Sequence, residues 1–385
     1  MKRYRSGAKS QQQNREDEAR FQDTTLQSSV TQPIFSQWSV SSKLLVIGLV
    51  GLILIYAITT ALQTNLPSSA AESVPDPPVF INLQLTINNA ENITELTQIT
   101  SPDIRQVALD PAGIYFSVIS QDRLQLFTLT DFLPLPKLVD HPDPVWTTAW
   151  SPNGKHIASA SGDHSIHIWD TQRNVIQRQL MGHNQTVWDI DWAPNGSVIA
   201  SGSNDGTVRV WDIEPGTVRQ VLKGHNHPVW AVDWHANGVQ LVSSGQDGFV
   251  RIWDITTARE THRWAGHRLP VSEVTWSPDG SYIASGSADK TIVIWDVEAE
   301  TQLHTLKGHS DWVSSLAWSP QGDQLASAGY DNLVYIWQIE TGSLLKVLQG
   351  HTAPVLSVTW SADGKHILSS SQDNTVRHWG VLQAR

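Results

Sequence analysis

Residues 186–222 contain TVWDIDW, PNG, VIASGS, NDG, TVRVWD, EPG and TVRQVL in succession. Apolar and polar positions alternate within the longer runs, and a turn tripeptide separates each from the next. Period-two alternation broken by Asn-Gly, Asp-Gly and Pro-Gly is the pattern of antiparallel hairpins. The stretch therefore predicts four short strands in up-and-down order. The same pattern recurs from Asp140 to the end of the chain. One earlier segment departs from it: residues 44–62, LLVIGLVGLILIYAITTAL, form an uncharged apolar run of nineteen.

The recurrence is strict. Gly-His pairs fall at 182–183, 224–225, 266–267, 308–309 and 350–351, spaced by 42 residues, with Asp140-His141 in the same register. Trp169, Trp211, Trp253, Trp295, Trp337 and Trp379 keep that period. So do Ser159, Ser201, Ser243, Ser285, Ser327 and Ser369, and Asp163, Asp205, Asp247, Asp289, Asp331 and Asp373. Four strands in a repeat of 40–45 residues, stacked radially, make a β-propeller. With Gly-His near the start and Trp-Asp closing the third strand, residues 91–385 resemble the WD40 family.

Ser243, Asp247 and His225 are also the side chains of a hydrolytic triad. A triad is needed once, whereas these residues recur in all six copies. In the WD40 family the matching His, Asp, Ser and Trp form a hydrogen-bonded tetrad within each blade, and buried polar groups in a narrow sheet must be paired in any case. The expected role is structural. A second ladder, Trp150, Trp192, Trp234, Trp276, Trp318 and Trp360, lies in the first strand of each copy. Together the two ladders account for twelve of the eighteen tryptophans as core.

A degenerate copy precedes the six. In IRQVALDPAGIYFSVISQDRLQLFTL (104–129), Asp110 to Gly113 match the Ser-Pro-Asn-Gly turn, Asp122 matches the turn aspartate and Phe127 replaces the tryptophan. The last copy stops after its third strand. ENITELTQI (91–99) supplies the missing one and protects both edges. The expected fold is all-β, a propeller of seven blades, six regular and one degenerate.

As a helix, residues 44–62 span roughly 28 Å, close to the hydrocarbon thickness of a bilayer. Residues 1–43 carry seven Lys and Arg, and residues 63–104 carry none. Positive charge stays on the cytoplasmic side. The sequence thus predicts a polar cytoplasmic tail (1–43), one transmembrane helix (44–62), a Pro-rich spacer (63–90) and an extracytoplasmic propeller (91–385). Cleavage near Ser68-Ser69-Ala70 is the alternative, but over forty residues before the apolar run is long for a signal peptide.

The net charge of −11, from 37 acidic and 26 basic residues, with no basic patch, argues against nucleic acid. No cysteine is present, which removes thiolate chemistry. His164 with His167, and His225 with His227, read as solvated pairs without the three or four convergent ligands of a metal site. Neither metal nor cofactor is expected.

Partner recognition is expected where the frame repeats and the residue varies. On a WD40-like blade the entry to the first strand and the residue before the turn aspartate share the top rim. These positions carry Trp146, Trp188, Trp230, Trp312, Tyr330 and Leu356, with Asn204 and Gln246 as polar members. Clustered aromatics are what interface hot spots are made of. The expectation is a non-enzymatic scaffold, a monomeric propeller binding a protein or peptide. An enzyme using the central funnel and a carbohydrate-binding propeller are the alternatives. Protease added to intact cells should reach the propeller; clipping confined to residues 1–43 would invert the orientation.

Overall fold

Each copy folds as its alternation predicts. Residues 187–223 form four antiparallel strands, Val187–Trp192, Val198–Ser203, Thr207–Asp212 and Thr217–Lys223, hydrogen-bonded in that order. The first turn closes when the Gly196 N–H donates to the Ala193 carbonyl at 2.8 Å. Gly196 sits at φ 68°, in the left-handed region that a side chain disfavours. The computed structural model describes residues 80–82, 94–120, 123–135 and 141–380. The apolar run 44–62, the tail before it, Asp122 and Asp140 lie outside the described residues. Among those described, all regular structure is strand, and no helix is long and apolar enough to cross a membrane.

Seven sheets follow one another along the chain, making an all-β propeller of seven blades. Blade 1 holds Ile104–Leu109, Tyr115–Ser120 and Arg123–Thr128 and has three strands. Blades 2 to 6 have four each, their innermost strands being Val145–Trp150, Val187–Trp192, Val229–Trp234, Val271–Trp276 and Val313–Trp318. Blade 7 contributes Val355–Trp360, His366–Ser371 and Thr375–Gly380, and Thr94–Thr100 completes it. The pairing runs from Thr94↔Gly380 to Thr100↔Thr375, so the expected closure is present. Phe80–Asn82, inside the segment read as a spacer, adds a fifth strand outside it.

Apolar side chains of adjacent blades interdigitate. Seven buried clusters occur among the described residues, one at each interface. Val198, Val208, Val232, Trp234 and Trp253 join blades 3 and 4, while Ile99, Phe116, Phe127 and Leu368 join blades 1 and 7. Phe127 stacks on Phe116 with ring centroids 5.2 Å apart, filling the place that tryptophan takes elsewhere. Tetrad tryptophans and those of the inner-strand ladder are buried, except that Trp360 is half-buried.

Blades 3 to 7 are each clamped from within. In blade 4 the His225 Nδ1–H donates to Asp247 at 2.8 Å, Ser243 O–H donates to His225 Nε2 at 2.8 Å, and Trp253 Nε1–H donates to Ser243 at 2.8 Å. The same set forms in blades 3, 5, 6 and 7. Ser243 is a scaffold residue. Ser243→Ala strips His225 and Trp253 of a buried partner and should cost about 1–3 kcal/mol. Ser285→Ala should cost about the same by urea denaturation. A hydrolytic activity lost with Ser243→Ala but kept with Ser285→Ala would overturn the structural role.

Candidate functional site: the channel mouth

The ring of innermost strands carries a register shift at one position in every blade. It falls between Val145 and Thr147, Val187 and Asp189, and Val229 and Ala231, and at the equivalent place in the others. A bulge inserts one unpaired residue and re-aims its side chain. The residues so placed are Trp146, Trp188, Trp230, Ser272, Ser314 and Leu356, with Arg105 in blade 1. Four of the rim positions read from the sequence, Trp146, Trp188, Trp230 and Leu356, are thus bulged residues, whereas Trp312, Tyr330, Asn204 and Gln246 are not. The backbone also joins their two halves. Asn204 N–H donates to the Thr186 carbonyl, Gln246 N–H to Pro228 and Tyr330 N–H to Trp312, all within 2.8–2.9 Å.

The aromatics meet in two groups rather than one row. Trp146 and Trp188 lie 4.7 Å apart, with the Arg105 guanidinium 4.5 Å over Trp146. Trp230 does not join them. It reaches Trp312 at 5.8 Å, and Trp312 stacks on Tyr330 at 5.4 Å. Blade 5 lies between those partners and carries only Ser272, whose hydroxyl is turned to the Val313 carbonyl. A small residue there leaves room for indoles from blades 4 and 6. Desolvation, with Asp311 as a lesser cause, pushes the Tyr330 phenol up to about 12. Asn204 donates to Gln185 Oε1 at 2.6 Å, Gln246 is exposed and Leu356 half-buried. Among the described residues, no side-chain hydrogen bond joins these three to the aromatic groups. The four tryptophans and Tyr330 are each half-buried.

Below the rim the inner strands carry acids that the sequence reading passed over. Asp189, Asp191, Asp233 and Glu273 sit on blades 3, 4 and 5, next to Thr147 and Thr275 at equivalent places. Variation along the ring is therefore not confined to apolar and amide groups. Three of the carboxylates accept an N–H from the following blade: Val232 to Asp189 at 2.9 Å, Trp234 to Asp191 at 2.8 Å and Trp276 to Asp233 at 2.6 Å. Burial raises all four. Asp189 goes up to about 7 and Asp233 to about 6, against backbone hydrogen bonds that pull down. In Asp191 and Glu273, repulsion from Asp233 and Asp189 respectively adds to burial.

Blade 2 departs from its neighbours. His141 Nε2 still meets Ser159 at 2.6 Å, but its Nδ1 stands 3.7 Å from Asp163. His167, expected at a solvated surface, is 5% exposed and stacks on His141 with ring centroids 3.9 Å apart. His164 does not join them; it lies in the turn before Ile166–Asp170, at φ 71°.

Residues 132–170 and 174–212 match the WD domain, G-beta repeat, and residues 229–385 match the second beta-propeller of Echinoderm microtubule-associated protein. These spans lie over blades 2 to 7. A 40-residue stretch is 45% identical to the probable cytosolic iron-sulfur protein assembly protein CIAO1 homolog of Chlamydomonas reinhardtii. That stretch covers 10% of this chain and 11% of the relative.

These half-buried acids make stability depend on pH. A raised carboxyl holds its proton more tightly in the folded chain than in the unfolded one, so its contribution is complete below the ordinary value of 3.8 and is lost as pH rises through about 6 to 7. His167, His183 and His378, held down by burial, act in the opposite sense below 6.5. The informative quantity is therefore variant against parent. Asp191→Asn keeps an acceptor for Trp234 and removes the charge. Its melting temperature should rise relative to the parent between pH 5 and pH 8, and an unchanged difference would place the charge elsewhere.

Proposed function

We propose that this propeller of WD40 repeats is a non-enzymatic scaffold that binds a protein or peptide partner across its aromatic rim. Residues 44–62 act as a single-pass anchor in this reading and hold the propeller outside the cytoplasm. The carrying observation is that tryptophans occupy the bulged position in three consecutive blades. Aromatic side chains gathered at a concavity and half-exposed there provide large contact area at low entropic cost, the usual makeup of interface anchors. WD40 propellers are generally interaction scaffolds, which agrees with this reading. The iron-sulfur assembly role named for the algal relative does not carry over, because forty residues is one repeat's worth of likeness. The anchor rests on the length of the apolar run and on the Lys and Arg asymmetry around it.

Chemistry in the channel is the second reading, and one observation favours it. Asp189 and Asp233 have carboxyls raised to near-neutral values, where proton transfer is efficient. Against it, Asp189, Asp191 and Asp233 each hold a backbone N–H of the next blade. That employs them structurally.

Peptides selected for binding to the full chain from a random displayed library would test the rim. Such peptides should carry apolar anchors. They should bind Trp146/Trp188/Trp230→Ala at least about tenfold more weakly, roughly the loss of one hot-spot contact. Asn195/Asp279/Asp363→Ala, on turns at the opposite ends of the strands, should bind as the parent does. Circular dichroism separates loss of binding from loss of fold. Unfolding of the first variant would make those tryptophans core, and unchanged affinity would move the site off the rim.

A further inference from the structure

The departure in blade 2 concerns three groups with metal-binding chemistry. In blades 3 to 7 the tetrad histidine places its Nδ1 2.8–3.2 Å from the aspartate. In blade 2 that gap opens to 3.7 Å, and His141 Nδ1 has no hydrogen-bond partner among the described residues. His167 Nδ1 is in the same condition. Both rings are buried, at 3% and 5% exposure. A buried nitrogen left unsatisfied is costly, and two side by side in one blade ask for a common partner.

The position of His167 sharpens the case. Its counterparts in blades 3 and 4 are arginines that supply positive charge to the tetrad aspartate: Arg209 lies 3.8 Å from Asp205 and Arg251 lies 3.1 Å from Asp247. Blade 2 has no such cation. Asp163 Oδ1 is taken by the Ser165 N–H at 2.8 Å and the Ser165 hydroxyl at 2.6 Å, which leaves Oδ2 turned toward the histidines. One ligand atom each from His141, Asp163 and His167 fall within 4.8 Å of one another.

We propose that His141, Asp163 and His167 form a divalent transition-metal site of the zinc class, with a fourth position open to water. Two imidazoles and one carboxylate suit zinc and its neighbours, whereas magnesium and calcium prefer oxygen alone. The ligands are His141 Nδ1, Asp163 Oδ2 and one ring nitrogen of His167. The imidazole planes are now within 13° of parallel, so coordination requires the His167 ring to tilt out of the stack. Ser165 permits this, because its hydroxyl keeps Asp163 as a partner when it releases His167 Nε2, now 3.1 Å away. The ion supplies the charge that arginine supplies in blades 3 and 4. It also ties the third strand to the loop that leads past Asp143 and Pro144 to Trp146.

The test uses the full chain without an affinity tag, stripped with chelator and titrated with Co²⁺ and then Zn²⁺. One equivalent of Co²⁺ should bind with the visible absorption of a four-coordinate nitrogen and oxygen site. Zn²⁺ should displace it and raise the melting temperature. His167→Arg, which installs the residue of blades 3 and 4, should fold and lose both effects. His167→Gln serves if that variant does not fold. His164→Gln and His227→Gln should bind as the parent does. Absence of stoichiometric binding in the parent, or binding kept in the His167 variants, overturns the site.

Discussion

A propeller depends on what happens to the free edge of each innermost strand. Within a blade this strand pairs on one side only, and its other edge faces the central channel. Backbone N–H and C=O groups left there without partners are costly. Neighbouring blades satisfy part of that edge with side chains. Asp189, Asp191 and Asp233 accept N–H groups of the next blade, and Gln106 accepts that of Thr148 at 2.6 Å. In the other direction Trp150, Trp192 and Trp318 donate their indole N–H to carbonyls of a preceding blade, at 3.1–3.3 Å. Ser314 donates its hydroxyl forward, to the Val355 carbonyl of the next blade, at 2.6 Å.

This division of labour explains which residues repeat and which vary. The tetrad lies inside a blade and meets the same surroundings each time, so the same four side chains recur. Edge contacts between blades are made by whatever neighbour is at hand, and aspartate, glutamine, serine and tryptophan all serve. The bulged position answers to neither requirement in blades 2, 3 and 4, where indoles stand free of both duties. In the proposed reading, that freedom leaves the rim for recognition.

Much of this was legible in the chain because spacing encodes it. A 42-residue period places His225, Ser243, Asp247 and Trp253 in one sheet, and the short last copy shows that a strand is owed from the N-terminal side. What escaped were features set by neighbours rather than by period. Asp189 and Asp191 sit at polar places in an alternating strand, and alternation alone marks them as solvent-facing. Their half-burial follows from ring closure. Trp230 shares a register with Trp188 yet contacts Trp312, because Ser272 clears the way across blade 5. His167 looked paired with His164 by proximity in sequence, but His164 lies in the turn before Ile166–Asp170, and only the fold sets His167 against His141.

The seam in blade 7 has a consequence for how the chain is made. Thr94–Thr100 leaves the ribosome long before Thr375–Gly380 does, and for all of that interval it can pair with Phe80–Asn82 but not with the blade it completes. Each of blades 2 to 6 is assembled from one contiguous stretch and can form as it emerges. The ring cannot. Until the final strand is released, the nascent molecule is an open arc with an uncovered edge at each end, the geometry most inclined to pair with a stranger. Completion of the circle is thus a single late event of high sequence separation, slow by the rule that distant pairings cost loop entropy. Synthesis, more than equilibrium, sets the period in which this fold is most vulnerable.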